Sequence, residues 1–354
     1  MSDDDLSQQL QARVRDAIDA RTPLCIRAGN TKAFYGRLPV GEDFDLSGHR
    51  GVIRYEPTEL FITARAGTPL AALEALLADN NQMLAFEPPR FGAAATLGGT
   101  VACNLSGPRR PYAGAVRDFV LGTRIINGRG EILSFGGEVM KNVAGYDVSR
   151  LMTGALGTLG ALLEVSLKVL PRPEAELTLA RTTPVAEALE HMHTLAGQPL
   201  PLSASLYDGR TLYLRLSGTE RGVNAARDRI GGDEVSDGAE LWSRVREQRH
   251  AFFTGEQPLL RLSLASTATP LDIDGQWLYE WGGAQRWLRG DADPRTVRSL
   301  AQAHGGQATL YRGGRQRDAV FHPLPDGLMR VHRRLKQAFD PEGIFNPGRM
   351  YPGL

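Results

Sequence analysis

Cysteine is scarce in this chain of 354 residues: there are two, Cys25 and Cys103. Two cannot build a disulfide framework or, alone, a four-cysteine metal or iron–sulfur site, so a reducing, cytoplasmic compartment is expected. The seven histidines, at 49, 191, 193, 250, 304, 322 and 332, offer little as metal ligands. His191 and His193 are two apart and would point to different faces of a helix, and no other histidine falls near a partner. No metal site is expected. The formal charge is only +1, which leaves no basic field to attract nucleic acid or an acidic membrane. Pairs such as Arg109-Arg110 and Arg333-Arg334 read as solvated faces. Residues 1–11 are acidic and polar, without the basic and apolar regions of a secretory signal. No uninterrupted apolar run approaches the ~20 residues of a membrane span.

What the chain has is the composition of an ordinary globular protein, 42% hydrophobic and 23% charged, at a length that suggests two or three domains. Leu6, Leu10, Val14 and Ala17/Ile18 recur at helical spacing behind Ser2 and Asp3 as caps. A strand over 23–27 runs into the turn Ala28-Gly29-Asn30-Thr31-Lys32. Strands over 51–55 and 61–66 lead to Thr68-Pro69, which reads as an N-cap and a proline at the first helical position. The helix that follows puts Leu70, Leu73 and Leu76/Leu77 on one face. From 87 to 114 glycine, proline and small residues dominate, and so long an irregular segment is expected to wrap a ligand. A hairpin over 121–126 and 131–135 turns at Asn127-Gly128-Arg129-Gly130. Leu163, Val165, Leu167 and Val169 then alternate with polar residues as in a half-buried strand, and Pro171-Arg172-Pro173 reads as a linker.

The middle of the chain has a β-α-β-β-α order that suggests a ferredoxin-like, split βαβ unit. Its parts are a strand over 177–181, a helix with Val185, Leu189 and Met192, a hairpin turning at Asp208-Gly209, and a helix with Val223, Ala226 and Ile230. Segments 259–264, 276–281 and 284–288, a helix from Pro294 and a strand over 308–311 look like a second, less regular copy. A last helix with Leu328, Val331, Leu335 and Phe339 in register stops at Asp340-Pro341.

Three glycine-rich segments are the candidates for chemistry, because backbone amides reach a phosphate only where side chains are absent. The first is Arg27-Ala28-Gly29-Asn30-Thr31-Lys32 after its strand. The second runs from Ala95 to Asn104 through Gly98-Gly99 and continues to Ser106-Gly107 and Tyr112-Ala113-Gly114. The third is Lys141-Asn142-Val143-Ala144-Gly145-Tyr146-Asp147, followed by Gly154, Gly157 and Gly160. That G-x-x-G-x-x-G spacing leads into a strand, whereas the dinucleotide fingerprint G-x-G-x-x-G follows a strand and opens a helix. A nicotinamide cofactor is not expected.

In this order the three segments resemble the FAD-binding domain of the vanillyl-alcohol oxidase / p-cresol methylhydroxylase superfamily. Within it, GGTVACN, KNVAGYD, GALGTLGALLEVSLKVLPRP and the ending FDPEGIFNPGRMYP are similar to the branch of D-lactate, 2-hydroxyglutarate and glycolate dehydrogenases. The short middle and Trp281-Gly282-Gly283-Ala284-Gln285-Arg286-Trp287 resemble the smaller FAD-binding subunits of glycolate oxidases. The resemblance covers most of 20–172 and again 326–354. It implies an α+β fold: a PCMH-type FAD-binding domain of two α+β subdomains over 1–172, divided near 55, a reduced ferredoxin-like cap over 173–318, and a C-terminal segment, 319–354, returning to the first domain.

By the same resemblance Ala28, Gly29, Asn30, Thr31 and Lys32 would sit on the pyrophosphate of FAD. Pro88, Gly92, Thr96, Gly98, Gly99, Asn104, Ser106 and Gly107 would line the flavin. Asp118 and Gly122 would approach the adenine side, and Gly157, Thr158, Gly160 and Leu163 would flank the adenosine, with Tyr146 and Asp147 bracing that wall. The first loop has fewer glycines than the family's, and Ala155-Leu156 stand where many members carry Ser-Glu. It holds no histidine, so FAD would be bound non-covalently. The spaced histidines and acidic residue that hold a metal beside the flavin in catalytic members have no counterpart.

The function implied is that of an FAD-binding subunit of a glycolate oxidase or dehydrogenase complex, which oxidises glycolate or D-lactate to the 2-oxo acid. Its partners would be a larger catalytic FAD subunit and an iron–sulfur subunit, and any attachment to the inner membrane would run through them. The missing metal ligands and short cap favour a relay and assembly subunit over a sole catalyst. A stand-alone FAD-dependent 2-hydroxy-acid dehydrogenase is the alternative. It would need an arginine to clamp the carboxylate, from Arg90, Arg109, Arg110, Arg286, Arg312 and Arg315, and a base such as His322 or Tyr112. A third reading, a flavoenzyme like UDP-N-acetylenolpyruvylglucosamine reductase, is disfavoured by the Asn346-Pro347-Gly348 ending.

Overall fold

The computed structural model describes residues 4–137, 146–314 and 319–354. Residues 141–145 of the third glycine-rich segment and the candidate Arg315 lie outside the described residues. The helix Ser7–Asp19 turns Leu10, Val14 and Ala17 inward, where they meet Leu24, Phe44, Ile126 and Leu163. Leu24–Arg27 pairs in parallel with Glu42–Asp45. Sequence reasoning misses the second strand because three of its four residues are acidic and disfavour a sheet; buried Phe44 anchors it.

Beside this layer stands a five-stranded antiparallel sheet in the order Val52–Glu56, Phe61–Arg65, Ala161–Lys168, Val120–Ile126, Ile132–Gly136. Its central strand, expected to be half-buried, is covered on both sides. The register slips where Arg124 faces Glu164 and Ile125 faces Leu162. This bulge turns Leu163 toward the N-terminal layer while Leu162, Val165 and Leu167 stay in the larger core. The helices Leu70–Asp79 and Leu97–Cys103 close that core. Thr68 does not cap the first of them: the N-cap is Pro69. The Thr68 hydroxyl instead accepts from Gly51 N at 3.0 Å and donates to Gly51 O at 3.1 Å.

The stretch expected to be irregular contains the helix Leu97–Cys103 and the one-turn helix Arg110–Ala113, and a second one-turn helix, Val116–Phe119, follows just beyond it. Thr96 starts the longer one by accepting from Gly99 N at 3.3 Å. Seven mostly small residues give too short a window for an apolar period to show.

The middle of the chain forms one eight-stranded antiparallel sheet. Its first half is ordered Asp233–Glu234, Ala175–Thr182, Thr211–Gly218, Leu202–Tyr207, with the helices Val185–Ala196 and Glu220–Ile230 as crossovers. The second half mirrors it from the centre outward: Gln276–Glu280, Gln285–Arg289, Leu259–Ser263, Gln307–Arg312. Numbering each half from its own first strand gives the same order, 4-1-3-2, and the halves meet where Leu206 and Tyr207 pair with Glu280 and Tyr279. The second copy is less regular because residues 264–275 cross over without a helix.

Charged groups bridge the seam between this sheet and the first half of the chain, around an open cavity. Arg109 donates to Glu176 at 2.6 Å, and Arg215 to Glu87 at 2.8 Å. Glu247, past the helix Gly238–Arg246, accepts from the backbone N–H of Arg90 at 3.1 Å and of Phe91 at 2.9 Å. The last helix, Asp326–Phe339, returns the chain to the first layer, where Leu24 N donates to Ile344 O at 2.7 Å. Among the described residues no helix is long and apolar enough to cross a membrane.

Candidate functional site

A cavity of about 260 Å³ opens between the strand Leu24–Arg27, the helix Leu97–Cys103, the 152–162 loop and the C-terminal tail. The turn that follows the first strand forms one wall from Ala28 to Lys32. Asn30 sits in the left-handed region at φ 55°, which bends the turn. None of the backbone N–H groups of residues 28–32 donates to an acceptor among the described residues. Amides left free along a cavity wall are the arrangement that binds phosphate oxygens. Lys32 adds a cation: it is 6% exposed, its Nζ is 3.4 Å from Arg90 O and 5.8 Å from the centre of the Phe91 ring. Burial pushes its amine below the ordinary lysine range.

The opposite wall is Thr96, Gly98, Gly99, Ala102 and Cys103. Gly98 allows this helix to touch the central sheet, since a Cβ there would lie 2.7 Å from that of Ala66. Burial holds Cys103 as a thiol by raising its pKa. Just past it, the buried Asn104 Oδ1 has no hydrogen-bond partner among the described residues.

The floor depends on the tail. Asn346 accepts from Ile26 N and donates from Nδ2 to Leu156 O, each at 2.7 Å. Gly157 fits beneath it at φ 72°, where a Cβ would come within 2.7 Å of that Nδ2. Arg349 donates to Tyr35 O at 2.7 Å and Ala33 O at 3.2 Å, tying the tail to the end of the turn. Asn346→Ala removes both bonds of a buried amide, leaves two backbone groups unmet and puts alanine in the left-handed region. The expected loss is about 2–4 kcal/mol of stability, together with weaker ligand binding, measured by urea unfolding and titration calorimetry.

Of the residues singled out from sequence, Ala28 to Lys32, Thr96, Gly98, Gly99, Gly157 and Gly160 line this cavity. Gly92 lies behind it, packed on Thr31, and Pro88 is buried nearby. Thr158 is at the rear, its hydroxyl donating to Ala155 O at 2.7 Å. Ser106 and Gly107 line a second, smaller cavity. Three residues stand elsewhere for packing reasons. Asp118 accepts from Ala115 N at 2.8 Å in a one-turn helix. Gly122 is a strand residue whose Cβ would meet Gly137 O at 2.8 Å. Leu163 is buried in the N-terminal core.

The candidates for substrate chemistry are mostly engaged. Arg109 is committed to the seam ion pairs. Arg286 is fully buried and donates to the carbonyls of Gly283, Ala268 and Thr269. His322 accepts from Ala308 N at 3.4 Å, and burial lowers its pKa. Arg110 lies over the Trp281 ring, 4.4 Å from its centre. Tyr112 is 37% exposed, and burial of its hydroxyl raises its pKa. Asp147 caps the helix Val148–Met152 and Tyr146 is exposed. Sequence reasoning missed Asn346 and Arg349 as cavity residues, although the tail that carries them was legible; nothing in a linear sequence says which side chains of a returning segment point at a distant loop.

Residues 6–136 match the FAD binding domain family, and residues 313–350 match the C-terminal domain of FAD linked oxidases. The glycolate oxidase subunit GlcE of Escherichia coli K12 is 51% identical over 350 residues, 99% of each chain. The chain belongs to the GlcE family. It is an FAD-linked oxidoreductase subunit, and FAD is its cofactor. The glycolate oxidase subunit GlcD of Bacillus subtilis 168 is 34% identical over 161 residues, 45% of this chain and 34% of that one. The solved structure of 4-ethylphenol oxidase from Gulosibacter chungangensis shares the fold, with a TM-score of 0.72 at 16% identity over 98% of this chain and 88% of that one. The residues present fit FAD: free amides and Lys32 suit a pyrophosphate, the orphaned Asn104 Oδ1 awaits a donor, and glycines leave room along the wall.

Proposed function

We propose that this GlcE-family chain carries FAD as the relay and assembly subunit of a glycolate-oxidising complex. Electrons from a 2-hydroxy acid, glycolate or D-lactate, are taken at a larger GlcD-like flavoprotein and passed through this chain's FAD to an iron–sulfur partner. FAD supplies an acceptor of one or two electrons; the chain's task is to hold it dry and oriented. Ala28 to Lys32 bind its pyrophosphate, Thr96 to Asn104 lie along the ring and ribityl chain, and the Asn346 tail keeps the floor closed. Membrane attachment, where it occurs, runs through the partners.

One observation carries the relay reading. Where the seam would have to admit substrate, Phe34, Tyr35, Phe91, Trp287 and Tyr311 interlock, with ring centres 4.8–5.6 Å apart. The space left is about 20 Å³, enough for roughly one water and too little for a hydroxy acid. Arg261 favours the second reading, a chain that oxidises substrate itself: it faces this space from the sheet and has no acidic partner among the described residues.

The FAD-loaded chain, mixed anaerobically with glycolate, separates the two readings. A relay keeps its visible flavin bands until the partner subunits are added. Bleaching by glycolate alone contradicts the relay and establishes the stand-alone dehydrogenase.

A further inference from the structure

The small cavity at the seam holds a carboxyl group that none of the foregoing uses. Glu280 ends the strand Gln276–Glu280 and is 4% exposed. Its Oε2 accepts from Trp287 Nε1 at 2.6 Å and from Gln285 Nε2 at 3.0 Å. No donor meets its Oε1 among the described residues, and Glu280 lines the water-sized space. It forms no ion pair with any described residue.

This space and the cofactor cavity are two parts of one seam. Lys32 of the larger cavity lies over Phe91, which lines the smaller one. Cys103 of the larger is followed by Leu105 and Ser106 of the smaller. A charge added in the larger cavity beside Lys32 and Cys103 would reach Glu280 across this contiguous seam.

We propose that Glu280 is a redox-linked proton site, binding a proton when the FAD of this chain takes electrons and releasing it when they leave. Oxidation of a 2-hydroxy acid to the 2-oxo acid yields two electrons and two protons. When those electrons reach this chain, its FAD would take up two electrons and one proton and so gain one negative charge, and Glu280 would take a second proton from solvent. When the electrons pass on, both protons are released. Burial already places the Glu280 carboxyl at about 7, with its two donors opposing that shift. Of the charged groups around it, Glu87 from the first half of the chain raises it further and Arg261 from the strand Leu259–Ser263 lowers it. Tyr311 of Gln307–Arg312 stays a phenol because burial raises it, and Arg246 from the adjoining helix is occupied by Glu247 and Glu74. At an effective dielectric of ~20, one added charge ~10 Å from a carboxyl moves it by about one pH unit, so a cofactor charge at that range would convert much of the ionised Glu280 to acid near neutrality. The linkage is reciprocal: the proton also raises the cofactor's affinity for electrons.

The inference rests on the reading of this chain as an FAD carrier, and its test is redox-difference infrared spectroscopy of the FAD-loaded protein near neutral pH. A protonated-carboxyl band is expected to grow on reduction and to be missing from Glu280→Gln. Trp287→Phe, which keeps the carboxyl and removes one donor, is expected to move the band to higher frequency. It decides the matter if Glu280→Gln does not fold, an unmoved band counting against Glu280. Flavin bands with no carboxyl band, or the same band in Glu280→Gln, overturn the inference alone. A protein without flavin bands overturns the reading beneath it as well.

Discussion

Replacing Lys336 by methionine is expected to lower stability by about 3–5 kcal/mol, the cost of removing one member of a buried ion pair. Lys336 Nζ donates to Asp340 Oδ2 at 2.6 Å and to the carbonyls of Thr158 and Phe345, each at 2.8 Å. Asp340, 1% exposed, also accepts from Ile344 N at 3.1 Å and Phe345 N at 2.8 Å. Methionine fills the space but leaves a buried carboxylate without its cation and two carbonyls without a donor. The damage reaches the cofactor, because this knot fixes the tail that carries Asn346 beneath the cavity. Urea unfolding with and without FAD reads both effects, since a ligand that binds only the folded chain stabilises it by its own affinity. A loss under about 1 kcal/mol, the range of an exposed pair, would show that the knot is solvated and the tail loosely held.

The second large effect falls on binding. A Cβ at Gly29 would overlap the carbonyl oxygen of Ala94. Backbone stands against backbone there, so no rotamer relieves it and the turn must lift. The amides of residues 28–32 then cease to face one wall. Gly29→Ala is expected to weaken FAD binding at least ~100-fold, about 3 kcal/mol, with a smaller effect on unfolding. Gly197→Ala is the control, because its nearest neighbour would be Thr194 O at 3.6 Å. Affinity within about threefold of wild type in Gly29→Ala would mean that the turn does not hold the cofactor.

The parts legible in sequence were those with a period or a turn signal. The alternation around Leu163 to Val169 announced a strand, and Asp208-Gly209 announced a hairpin whose repeat order emerged in the sheet. The bulge at Leu163 left no trace, because it depends on the register of neighbouring strands. The strand Glu42–Asp45 and the helix Leu97–Cys103 were hidden for opposite reasons: one is held by a single phenylalanine against its propensity, the other is too short and small for a pattern. The glycine segments pointed to the cavity through backbone chemistry, which is local. Asn346, Arg349 and Arg261 act across 100 residues or more of chain, and only the folded arrangement brings them and Glu280 to their cavities.

The most direct test of the FAD site is a titration of the purified chain, stripped of flavin, with FAD while its visible spectrum is recorded. Flavin bands that saturate at one FAD per chain, and weaken sharply in Gly29→Ala, are the expected result. A chain that stays colourless and takes up no FAD would contradict it.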